Sequence, residues 1–219
     1  MALYPAPPTI SLTSSARVLV LTCIDPRFTE LTNWFLVHVK QVHASYDLFA
    51  LAGSTVGVVQ DSGDANPNTT PTWPVFPGWY QVFFDHVKLA VILHGITEIW
   101  LFDHLGCSAY EQFLLNNVPD TLAAPHLAQM LNVVGYIRNY DATGLDPELK
   151  LAINNLKVSG FLMNLDGSIR VMVGTGLDVP SVDVEEYNKK TYYWTSGAIV
   201  AVTAVFITWI ILHYRDSNK

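Results

Sequence analysis

Ala16-Arg-Val-Leu-Val-Leu-Thr22 running straight into Cys23-Ile-Asp-Pro-Arg27, and Glu98-Ile-Trp-Leu-Phe-Asp103 running straight into His104-Leu-Gly-Cys107, decide the reading of this chain. Each apolar, partly β-branched run reads as a buried strand, and each strand delivers ligand-type side chains at its carboxyl end. Zinc takes thiolate and imidazole donors, and a catalytic zinc site keeps three protein ligands and an open fourth position. Cys23, His104 and Cys107 would make such a Cys2His set, and they use both cysteines of the chain. Asp25 and Arg27 stand two and four positions past the first ligand, close enough to control the fourth position. The other reading of the two cysteines is a single Cys23–Cys107 disulfide, but the neighbouring His, Asp and Arg favour a metal.

Outward from these strands, apolar runs alternate with helical ones. Thr29–Gln41 reads as a helix with Leu31, Trp34, Phe35 and Val39 near one face, and Tyr46–Ala52 as a second strand. Trp79–His94 is helical, with Val82, Phe83, Leu89, Ala90 and Leu93 as its apolar stripe. Two or three helices fill Ala109–Leu156, and Lys157–Met163 and Ile169–Val173 flank Asn164-Leu-Asp-Gly-Ser168, a hairpin with an Asp-Gly turn. This order predicts an α/β fold, a mostly parallel open sheet of about five strands flanked by helices. In such sheets ligands bind beyond the carboxyl ends of the strands. Two clusters 81 positions apart therefore meet if their strands are neighbours.

At 219 residues, half of them hydrophobic, the chain suits one soluble domain plus an appendage. A formal charge of −7 and the absence of any basic run exclude the usual nucleic-acid binder. Residues 1–15 form an N-terminal extension with neither a charged n-region nor an unbroken apolar h-region, so no signal peptide is expected. The zinc-type domain covers 16–173, with a long loop at 60–78 whose Trp73, Phe76 and Trp79 suit a packed lid, a contact surface or plain surface decoration. Residues 174–190 read as a polar, acidic linker. From 191 to 212 there is no charged residue, and those 22 positions at about 1.5 Å each would span about 33 Å, a bilayer core. A C-terminal transmembrane helix is thus expected, with a short tail at 213–219. Zinc thiolates favour a compartment that keeps thiols reduced, so the domain is expected on a cytosolic, stromal or matrix side of a membrane.

Cys-x-Asp-x-Arg after one strand and His-x-x-Cys after another resembles the signature of the β-class carbonic anhydrases. The resemblance spans roughly residues 15–173. Ala52-Gly53, within Asp47–Val58, takes the place of that family's Arg-Asn-Ala-Gly-Asn segment. Asp85–His104 is similar to its helix-turn-strand run into the histidine ligand, and Leu156–Gly167 to its closing strand and hairpin. Departures are Asp103 where the family usually has Gly, Ser108 and Ala109 after the second cysteine, and Ala50, Leu51 and Ser54 for its Arg and two Asn. The resemblance implies zinc held by Cys23, His104 and Cys107 and reversible hydration of carbon dioxide to bicarbonate, here beside a membrane. It implies two states for Asp25. Paired with Arg27, Asp25 accepts a hydrogen bond from the reacting water; unpaired, it becomes a fourth metal ligand. It also implies a homodimer or a place in a larger membrane complex. Two alternatives stand beside this: a weak or inactive structural subunit of a membrane complex, and a hydrolase of carbonyl sulfide or carbon disulfide on the same scaffold. His38, His43, His86, His94 and His126 have no ligand spacing and read as structural or surface residues able to shuttle protons.

Overall fold

The first apolar run forms β1 (Val18–Thr22), every residue of which is buried. Helix α1 (Thr29–Trp34) follows and widens into a π-type turn over Phe35–Val39, which together fill the span expected for one helix. Next come β2 (Tyr46–Ala50), the five-residue helix α2 (Thr55–Val59), and α3 (Trp79–Leu89), itself extended by a π-type turn over Ala90–His94. The second apolar run is β3 (Glu98–His104), again buried throughout. Three helices, α4 (Ser108–Phe113), α5 (Ala123–Arg138) and α6 (Pro147–Asn154), lead to β4 (Lys157–Met163) and β5 (Ile169–Val173). Helix α6 starts where its sequence says it should. Pro147 occupies the first turn, where its missing N–H costs nothing, and the Asp146 side chain accepts from the N–H groups of Glu148 and Leu149.

The five strands form one sheet in the order β2-β1-β3-β4-β5. All pairings are parallel except β4 with β5, the expected hairpin. β1 and β3 are neighbours, with Thr22 opposite Phe102, so Cys23 leaves the sheet beside Asp103 and His104. Parallel strands covered on both faces read as continuous apolar runs, which explains why these two were so plain in the sequence. Alternate side chains serve two cores. Leu19, Leu21, Ile99 and Leu101 pack with Phe83, Phe84 and Val87 of α3 and Met130, Val133 and Ile137 of α5. Val18, Val20, Trp100 and Phe102 pack with Phe28, Phe35 and Leu36 on the opposite face. At about 1.5–3 kcal/mol for each large apolar side chain buried, these two layers set the positions of the strand ends.

The computed structural model describes residues 15–42, 45–60, 78–115, 117–140 and 144–174. All but residue 15 of the expected 1–15 extension, most of the 60–78 loop, all but residue 174 of the expected 174–190 linker, the expected membrane helix at 191–212, the tail and His43 lie outside the described residues. Among the described residues no helix is long and apolar enough to cross a membrane.

Candidate metal centre

The carboxyl ends of β1 and β3 bring Cys23 and His104 together, and the turn after β3 adds Cys107. Ligand atoms of all three lie within 4.8 Å of one another, and His104 and Cys107 are buried. Nδ1–H of His104 donates to the carbonyl of Leu105 at 3.0 Å. That bond fixes the tautomer and leaves the lone pair on Nε2. Nε2 is buried with no hydrogen-bond partner among the described residues. The ring is held from one side by Phe28, stacked at 4.3 Å between centroids. A buried imidazole nitrogen without a partner is costly on its own, and here it stands beside two free thiols rather than a disulfide. The donor set fits zinc.

The chain also prepares the thiols for a metal. Gly53 N–H donates to Sγ of Cys23 at 3.3 Å. Gly53 has φ +77°, and a Cβ there would come within 2.5 Å of Val56 Cγ1 and 2.8 Å of Ala109 Cβ, so the position tolerates only glycine. The Cys107 side chain does most to push the Cys23 thiol below its ordinary value; burial opposes it, and His104 and the Gly53 N–H add to it. Cys107 is pushed up in turn, chiefly by Cys23 and then by burial.

Asp25 and Arg27 adopt the paired arrangement. Arg27 Nε donates to Oδ1 at 3.0 Å, Nη2 to Oδ2 at 2.6 Å, and the Arg27 backbone N–H to Oδ1 at 3.0 Å. Nη2 also reaches the carbonyl of Gly106 at 2.9 Å, tying the two ligand clusters together. Oδ2 of Asp25 lies 3.7 Å from Nε2 of His104. The Arg27 hydrogen bonds hold the Asp25 carboxyl below its ordinary value. The Arg27 side chain is 52% exposed, so this pair adds little to stability and its work is orientation. Beside it opens a cleft of about 490 Å³, whose walls include Ile24, Pro26, Ala52, Trp79, Ala109 and Phe113.

Sequence reasoning missed a second group of polar side chains just behind the ligands. Thr55, Asp103, Tyr110, Asp120 and His126 are all buried and bonded to one another or to the ligand turns. Asp103, a departure from the family pattern at the end of a buried strand, is the member of this group that the sequence signals. His126, one of the histidines without ligand spacing, is fully buried in α5.

No family model matches the chain. Uncharacterized proteins of Rickettsia conorii and Rickettsia bellii are 24% and 23% identical to it over 71% of its length, covering 72% and 81% of their own. Among solved structures, β-carbonic anhydrase isoform I of Trichomonas vaginalis aligns over 75% of this chain and 87% of its own at TM-score 0.43 and 13% identity. Carbonic anhydrase of Glaciozyma antarctica aligns over 76% and 87% at TM-score 0.41 and 15% identity. A tetrameric β-carbonic anhydrase of Sordaria macrospora aligns over 75% and 84% at TM-score 0.38 and 18% identity. The chain is similar to β-carbonic anhydrases in structure, as it resembles them in its ligand motifs.

Proposed function

We propose that this chain is a zinc-dependent carbonic anhydrase that interconverts carbon dioxide and bicarbonate at a membrane surface. The observation that carries the reading is the meeting of an unpartnered His104 Nε2 with two thiols beside an Arg27-held carboxylate. Cys23, His104 and Cys107 would hold the zinc, which when bound supplies a water acidic enough to ionise near neutral pH.

The chain's own groups do the rest. Asp25 stays ionised across the neutral range because Arg27 stabilises its charge, so it accepts a hydrogen bond and takes no proton. Its acceptance fixes the direction in which the reacting water presents a lone pair, and Arg27 keeps Oδ2 from turning toward the ligands. The apolar side of the cleft, from Ile24 to Phe113, suits a small apolar molecule such as carbon dioxide and disfavours extra water. The domain of residues 16–173 would be held by the 174–190 linker to a transmembrane helix at 191–212, on a reducing side of the bilayer, as a homodimer or within a larger complex.

Stopped-flow hydration of carbon dioxide by the zinc-loaded full chain, with Cys107→Ser as control, tests this. Rapid hydration that the control abolishes is the expected result. No hydration by a folded chain carrying one zinc refutes it and leaves a structural subunit or a hydrolase of another substrate.

A further inference from the structure

His126 has a buried carboxylate on each side. Its Nε2 lies 3.0 and 3.1 Å from the two carboxylate oxygens of Asp120. Its Nδ1 lies 3.4 Å from Oδ2 of Asp103, an ion pair rather than a hydrogen bond. Tyr110 covers the ring at 3.8 Å between centroids. Two buried carboxylates this close are costly unless a cation stands between them, and His126 is placed to be that cation.

Both carboxylates also hold backbone that carries a ligand. Asp120 Oδ2 accepts from the N–H of Cys107 at 3.0 Å, and the Asp120 carbonyl accepts from Gly106 N–H at 2.8 Å. Asp103 immediately precedes His104. Its carboxylate accepts from Thr55 N–H at 3.2 Å, Thr55 Oγ1 at 2.5 Å and the Tyr110 hydroxyl at 2.7 Å. Thr55 begins α2 two residues after Gly53, whose N–H reaches Cys23. One ring therefore stands a single side chain away from the backbone that carries His104 and Cys107 and from the turn whose Gly53 N–H meets the Cys23 sulfur.

We propose that His126, with Asp103 and Asp120, is a positioning residue of the metal centre. It braces the Gly106–Cys107 turn and the Gly53–Thr55 turn against the end of β3, and so sets both thiols relative to His104 without touching a ligand atom. The role rests on the reading of Cys23, His104 and Cys107 as ligands. Partners of this kind orient first-contact ligands, and their loss typically weakens metal binding by about 10- to 100-fold.

The test compares His126→Gln, Asp120→Asn and Asp120→Ala in the full chain. Zinc affinity is read by chelator competition, and ligand geometry by the thiolate-to-metal absorption of the cobalt-loaded protein. Hydrogen exchange of the Cys107 amide is read without metal. Folded His126→Gln should bind zinc about 10- to 100-fold more weakly, with altered cobalt absorption and faster Cys107 exchange. Asp120→Asn keeps an oxygen for the Cys107 N–H and should lie nearer the parent than Asp120→Ala. Parental affinity, absorption and exchange in folded His126→Gln would overturn the proposal. If that variant does not fold, indistinguishable Asp120→Asn and Asp120→Ala would overturn it instead. A parent that binds no metal counts against the ligand reading, and the metal-free exchange series then decides the brace by itself.

Discussion

Stability of His126→Gln relative to the parent should depend on pH, because the brace is electrostatic. Burial lowers the pKa of His126, but the nearby charges of Asp103 and Asp120, with the Asp120 hydrogen bond, outweigh it and raise the group from 6.5 to about 9. At 1.36 kcal/mol per pH unit that difference is worth about 3 kcal/mol. Because the folded value is raised, the native chain holds a proton between pH 6.5 and about 9 that the unfolded chain has released. The contribution is complete below 6.5 and is lost as pH rises through about 9. Glutamine has no proton to lose. At about pH 6 the parent should exceed the variant by about 3–5 kcal/mol, the cost of breaking a buried charge pair. By about pH 10 the parent ring is neutral too, and the gap should close by about 3 kcal/mol. Urea unfolding of both metal-free chains, in reductant and at fixed ionic strength, measures the gap. The Cys23 thiol, lowered to about 4 in the fold, is common to both chains, so its contribution cancels in the difference. A gap that moves by less than about 0.5 kcal/mol over that range would mean that His126 is neutral throughout, and the brace would lose its physical basis.

Two further substitutions test the geometry around the sulfurs. Gly53→Ala drives a Cβ to 2.5 Å from Val56 Cγ1 at a φ of +77°, so it should cost about 1–3 kcal/mol and weaken zinc binding as its N–H moves off Cys23; a melting temperature and zinc affinity equal to the parent's would refute that. Arg27→Ala frees Asp25 Oδ2, leaves Oδ1 on the backbone N–H of residue 27 and cuts the tie to Gly106, so Asp25 should join the ligands and hydration should fall about a hundredfold. X-ray absorption of the zinc-loaded variant counts the ligands, and retained turnover with three protein ligands would sink the idea.

The sheet and the meeting of Cys23, His104 and Cys107 were legible for the same reason. β1 and β3 are buried on both faces, so their apolar runs are unbroken, and the ligands follow the runs directly. Helix α2 was not legible: Thr55-Val-Gly-Val-Val59 is five residues of poor helix propensity, and it is helical because it packs between α3 and α5. Asp103, Asp120 and His126 were invisible as a group because they lie on a strand, a loop and a helix and share no local period. Only the fold makes them neighbours. Asp103 beside a candidate ligand could have been singled out, since a carboxylate at the end of a buried strand must find partners there.

The brace sits where the sheet stops holding the ligands. His104 is the last residue of β3 and is still in register with Met163 of β4, so the ladder itself places its backbone. Cys23 is one residue past β1, with the Leu51 N–H bonded to the Thr22 carbonyl just before it. Cys107 is three residues beyond β3, after a Gly106 turn at φ +66°, and among the described residues no strand neighbour constrains it. Its hold comes instead from Asp120 on the Cys107 and Gly106 N–H groups, from Arg27 on the Gly106 carbonyl, and from the Glu111 N–H of α4 on the Cys107 carbonyl at 3.1 Å. The buried Asp120 carboxylate meets His126, which reaches it from a helix anchored in the core by Met130, Val133 and Ile137. The ligand least fixed by the sheet is thereby tied to one of the best-packed helices of the domain. A histidine with no ligand spacing in the sequence thereby reaches, through Asp120, the turn that carries Cys107.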